Sequence, residues 1–191
     1  MYNYFSNNNC IVPKNWIINH SLVSIYSLSS LLYCFNGFII IYLHYCIPKY
    51  FELIEAFIWI WQGIISYISD AYYLGKVSIF HQIDRYLSII VTYLLLRKYL
   101  TISGILCCYE KYNLICNNIS LICYNNSLKQ LLKCELIIGL SYSFICFYKS
   151  INSINKCNKE LFFKYHTLWH TGFPLTSLGF HIILLCHILL F

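Results

Sequence analysis

Two long stretches without a formal charge constrain this chain more than anything else in it. No Asp, Glu, Lys or Arg occurs between Asn15 and Pro48, and none between Tyr165 and Phe191. Each exceeds the ~20 residues a helix needs to cross a bilayer. A backbone in hydrocarbon must satisfy its amides within its own segment, so such stretches are expected to be helical. The composition agrees, with 59% of residues hydrophobic and 10% charged, against roughly a quarter charged in a soluble domain. The expected fold is therefore all-α, a polytopic transmembrane bundle forming one integral membrane domain over residues 1–191, with a polar segment at 1–20.

Charged and polar punctuation divides the chain into spans. The first covers residues 22–46 and ends at Pro48 and Lys49; it is expected to serve as its own insertion signal, since no basic region followed by an apolar core precedes it. Glu52 and Glu55 open the second, uncharged over 56–69 until Asp70. The third gathers from residue 86, after His81, Asp84 and Arg85. Arg97 and Lys98 then divide 86–109 into two pieces shorter than a normal span. A further short piece lies at 114–124 and a fuller one at 131–148. Residues 149–161 read as a polar loop, and the last span starts near 162. Seven spans are expected, with five as the alternative. An even number of crossings between Asp84 and His166 is needed to bring them to one side of the membrane, and six spans would not provide it. With seven, Lys and Arg divide eight to five in favour of the side holding Asp70, Asp84 and His166, which the positive-inside rule assigns to the cytosol.

The net charge of +6 comes from basic residues scattered between apolar segments. That pattern suits anionic headgroups and excludes the basic face a nucleic-acid binder presents. Membrane lipids are the expected partners. Eleven cysteines include no CxxC pair, so they read as small buried hydrophobes and not as a thiolate metal site.

Chemistry concentrates in three places. His166-Thr167-Leu168-Trp169-His170 opens the last span with two imidazoles four residues apart, on one helical face. Glu55, Gln62, Ser66 and Asp70 follow spacings of seven, four and four, a single polar stripe along the second span. Such a stripe faces protein or water, because lipid contact costs several kilocalories per charge. His81, Asp84, Ser88 and Thr92 repeat the pattern on the third. Asp70 and Asp84 are the only aspartates in the chain. Imidazoles at i and i+4 can both ligate one zinc ion. A catalytic zinc needs three protein ligands and an open position. Asp70 or His81 would supply the third ligand, Asp84 would accept a proton from water, and Ser66 would orient the water or donate to a developing oxyanion. His181, some 16 Å further along the helix, is expected to pack between helices.

These residues resemble the superfamily of seven-helix membrane proteins that includes alkaline ceramidases, the progestin and adiponectin receptors and myomaker-like proteins. The likeness rests on a serine and a ligand four apart late in the second span, an aspartate opening the third, and H-x3-H opening the last with Trp169 before its second histidine. It implies a zinc ion held in the bundle near a serine and an aspartate, and, for the enzymes of the superfamily, hydrolysis of lipid amide bonds. Ser66, Asp84, His166 and His170 match the pattern. Asp70 departs from it, standing where the superfamily has its first histidine. Either a His/His/Asp zinc shell results or the site no longer binds metal.

The expected function is zinc-dependent hydrolysis of a lipid amide or ester bond, in an endomembrane such as the endoplasmic reticulum or Golgi. The alternatives are a non-catalytic receptor or membrane-remodelling protein with a structural metal site, and a small transporter using Glu55, Asp70 and Asp84 as proton carriers.

Overall fold

A computed structural model of the protein describes residue 16 and residues 24–46, 52–76, 78–102 and 126–190, with side chains to residue 186. Helices account for nearly all of them, and no strand occurs among them. Helix α1, Ile25–Ser29, starts at Ser24, whose Oγ accepts from the Ser27 N–H at 3.2 Å. It passes through Ser30 into α2, Leu31–Cys46. Helix α3, Leu53–Tyr67, runs on into a π-turn, Ile68–Tyr72. The remaining helices are α4, Ile79–Ile102, α5, Asn126–Asn155, and α6, Lys159–Leu190.

The segments Ile25–Cys46, Asn126–Asn155 and Lys159–Cys186 are long and apolar enough to cross a membrane. By length and composition the chain is thus an integral membrane protein, all-helical over its described residues. Helices α3 and α4 carry more charge, and the structure buries much of it. Their outward faces are apolar, with Phe57, Trp61, Tyr86, Ile89 and Tyr93 exposed, as lipid contact requires.

The helices close into a ring. α2 packs on α3 and α6, α3 on α4, α4 on α5, and α5 on α6. Side-chain contacts show that helices successive in the chain alternate in direction, while α2 and α6, which close the ring, run parallel, with Tyr33 near the start of α2 against His170 near the start of α6. Gln62 of α3 meets Asp84 and Ser88 at the start of α4, while Glu55, at the start of α3, meets Lys98 near the end of α4. Ser150 near the end of α5 faces His166 near the start of α6. Tyr33, Ile40, Trp59, Val91, Leu95 and Leu132 form much of the buried core, each at most 1% exposed.

The seam between α5 and α6 depends on small residues. A Cβ on Gly139 would run into Thr176, and one on Gly172 would run into Ser143. Close backbone approach of this kind is how helices gain packing in lipid, where no hydrophobic force draws them together. Helix α6 continues through Pro174.

Three sequence expectations change. Arg97 and Lys98 do not divide a span, because both lie inside the continuous helix α4. Lys98 turns inward, where its ammonium pairs with Glu55 and lies 2.8 Å from His181 Nε2. Residues 149–161 keep their polar composition but are helical except for a turn at 156–158, where Cys157 adopts a φ of 51°. Asn158 Oδ1 accepts from the Leu161 N–H at 3.0 Å and starts α6. Asp84 sits in the second turn of α4, since the helix begins seven residues before residue 86. The expected piece at 114–124 lies outside the described residues.

Candidate metal centre

Asp70 is delivered by the π-turn. The Tyr73 N–H donates to the Ile68 carbonyl at 3.0 Å, an i to i+5 bond. π-Turns of this sort are frequent at functional sites. Gly75, at φ 69°, then helps turn the chain towards α4. On α6, the i, i+4 spacing carries His166 and His170 inward on one face.

The two meet across the ring. Asp70 Oδ2 lies 2.8 Å from His170 Nε2 and 3.3 Å from His166 Nε2. The ligand atoms of the three residues all fall within 4.8 Å of one another. Asp70 is 8% and His170 0% exposed.

The far nitrogens of both imidazoles face serines. His166 Nδ1 is 3.2 Å from Ser150 Oγ, and His170 Nδ1 is 3.4 Å from Ser66 Oγ. Ser66 Oγ also donates to Asp70 Oδ2 at 3.4 Å and hydrogen-bonds Asp84. One hydroxyl proton serves only one acceptor at a time, so an Nδ1–H of His170 donating to Ser66 leaves the serine proton for a carboxylate. With that tautomer on both rings, both Nε2 atoms are bare acceptors beside the Asp70 oxygen.

Acceptors that face one another so closely repel unless a proton or a cation lies between them. His170 Nε2 is buried and makes no hydrogen bond of acceptable direction among the described residues, despite its 2.8 Å approach to Asp70. Two ligands of one tetrahedral zinc at ordinary bond lengths stand roughly 3.3 Å apart. The donor set is nitrogen, nitrogen and carboxylate oxygen, with hydrogen-bonding groups behind both rings, as metal-bound histidines have. The residues present therefore fit a zinc ion.

Asp84 sits behind this cluster. Gln62 Nε2 donates to its Oδ1 at 2.8 Å and to Ser88 Oγ at 3.1 Å. Of the residues read from the sequence, Ser66, Asp70, His166 and His170 come into direct contact, and Asp84 joins them through Ser66. His81 does not take part. Its Nδ1 lies 2.6 Å from Ser69 Oγ, and its Nε2 faces the carbonyls of Tyr73 and Lys76 at 3.2 and 2.9 Å. It fastens the turn between α3 and α4.

Two contributors lay outside the sequence reading of the site. Ser150 falls in the stretch read as a loop, and no spacing rule links it to His166. Tyr33 packs its ring edge-on to His170, 5.9 Å between centroids, and stacks on Trp59 at 5.6 Å. It looked like one more aromatic among nineteen tyrosines.

Fold and site together define an integral membrane helical protein with a buried His/His/Asp cluster. No family model, no curated protein and no solved structure matches the chain.

Proposed function

We propose that the protein is a zinc-dependent membrane hydrolase that cleaves an amide or ester bond of a lipid. The observation that carries this reading is the convergence of the two Nε2 atoms on one oxygen of Asp70, with a serine behind each ring. Asp70, His166 and His170 would hold the ion. Zinc bound there supplies Lewis acidity to a carbonyl and brings the pKa of water towards neutrality.

The chain's own groups divide the remaining work. Gln62 holds Asp84 through Oδ1, leaving Oδ2 to accept a proton from the attacking water. Ser66 stands between the two aspartates and directs its hydroxyl to one or the other. Lipid substrate would enter sideways from the bilayer, between helices of the ring. Crossing number and location belong to the same proposal. With α2, α3, α4, α5 and α6 each crossing once, two crossings separate Asp84 from His166, as their approach to one cluster requires; the two further crossings of a seven-span chain would lie outside the described residues, and an endomembrane is the proposed location.

Asp84→Asn tests the assignment. It should abolish turnover of lipids carrying an amide- or ester-linked fluorescent acyl chain and leave zinc content unchanged. Retained turnover would remove Asp84 from the chemistry. If the metal serves structure alone, wild type cleaves none of the panel and His170→Ala lowers the folded yield. A transporter has the buried Glu55–Lys98–His181 group in its favour; it would respond to a pH gradient and tolerate metal removal.

A further inference from the structure

Glu55, Lys98 and His181 form a second polar layer at the far end of the ring. The indole N–H of Trp59 donates to Glu55 Oε1 at 3.2 Å. This layer lies about 16 Å from the metal centre by the helical rise between His170 and His181. Polar atoms are stranded between the two layers. Both amide atoms of Asn36, Oε1 of Gln62 and the hydroxyls of Ser30 and Ser177 are buried and hydrogen-bond to none of the described residues. None of these side chains is more than 1% exposed.

Register places them in one column. Gln62 lies seven residues after Glu55 and four before Ser66, on the stripe that faces the interior. Ser177 lies seven after His170 and four before His181, again on one face. Asn36 is one turn beyond Tyr33, whose ring touches both Trp59 and His170. A Cβ on Gly37 would meet Ala56 and Ile60, and one on Gly63 would meet Cys34 and the Ser30 carbonyl. Those contacts set Asn36 level with Trp59 and Ser30 level with Ser66. The stranded atoms thus occur at successive heights from one polar layer to the other, inside a closed ring of helices.

Buried polar atoms without protein partners are satisfied by bound water in native interiors. Their alternative is desolvation without compensation, which is more costly still in a membrane. We propose that a file of internal water molecules runs through the middle of the ring, bound by Ser30, Asn36, Gln62 and Ser177. It joins the Asp70–His166–His170 layer to the Glu55–Lys98–His181 layer. The existence of the file is independent of the hydrolase reading. Its use, as a supply of reacting water from the end of the bundle opposite the metal centre, rests on that reading.

X-ray-pulse hydroxyl-radical labelling in H2(18)O, with the full chain in nanodiscs, tests it, because radicals form at bound water as well as in bulk. Trp59 and Tyr33, at 0% and 1% exposure, line the column. Both should take up 18O at rates near those of exposed Trp61 and Tyr93. In an Asn36→Leu, Ser177→Ala variant the label at Trp59 should fall about tenfold while Trp61 is unchanged. If that variant does not fold, Ser177→Ala alone should lower the Trp59 label. Wild-type Trp59 labelled less than about a tenth as fast as Trp61 overturns the proposal, as does a label unaffected by both variants. Full labelling in a protein that cleaves no lipid sinks the hydrolase reading alone. An unlabelled Trp59 in an active enzyme sinks the water file alone.

Discussion

At the scale of single residues, Asp70 decides the character of the cluster. A carboxylate ligates zinc as well as an imidazole does, and the π-turn places its oxygen within reach of both Nε2 atoms. Asp70→His should therefore keep zinc, whereas Asp70→Ala should lose it; metal analysis after gel filtration distinguishes the two. Ser150→Ala removes the group behind His166 without touching a ligand. It should weaken zinc binding about 10- to 100-fold, read by competition with a chromophoric chelator, with helical content unchanged. The residues of the His/His/Asp cluster were legible in the sequence because His166 and His170, like Ser66 and Asp70, lie four apart. Ser150 was not, since its approach to His166 is set by the tight turn at 156–158 between two helices. Polar composition alone made that stretch look like a loop.

At the scale of elements, α4 shows how a charged helix is held in the ring. Lys98 would be costly against lipid, and pairing with Glu55 keeps it inside. Breaking a buried pair leaves an uncompensated charge, so Lys98→Met should destabilise the fold by about 3–5 kcal/mol. Adding Glu55→Gln to it should recover much of that loss. Thermal unfolding in detergent across the four proteins of this cycle measures the difference. Hydropathy could not reveal the arrangement, because it counts Arg97 and Lys98 as interruptions without regard to what stands across the bundle. The polar stripe from Glu55 to Asp70, by contrast, was visible from periodicity, and all four of its residues are buried. Helix α5 depends on close contact with α6, so Gly172→Leu, which drives a side chain into Ser143, should lower the melting midpoint.

At the scale of the whole molecule, alternating helices set the His/His/Asp cluster towards one end of the bundle and the Glu55 layer towards the other. Cys157, in the turn before α6, and Cys46, at the end of α2, are exposed at opposite ends of the bundle. In sealed vesicles, variants retaining only one of these cysteines should react with an impermeant maleimide from opposite sides, Cys157 from the cytosolic one. Labelling of both from one side would contradict the alternation. The class of fold was legible from the uncharged stretches alone. Closure of the ring was not, because it depends on which faces meet and no local pattern encodes that. Zinc itself gives the most direct check of all. Metal analysis of the purified wild-type protein beside a His166→Ala, His170→Ala double variant should find about one zinc per chain in the first and none retained in the second, whereas equal zinc in both would remove the metal centre.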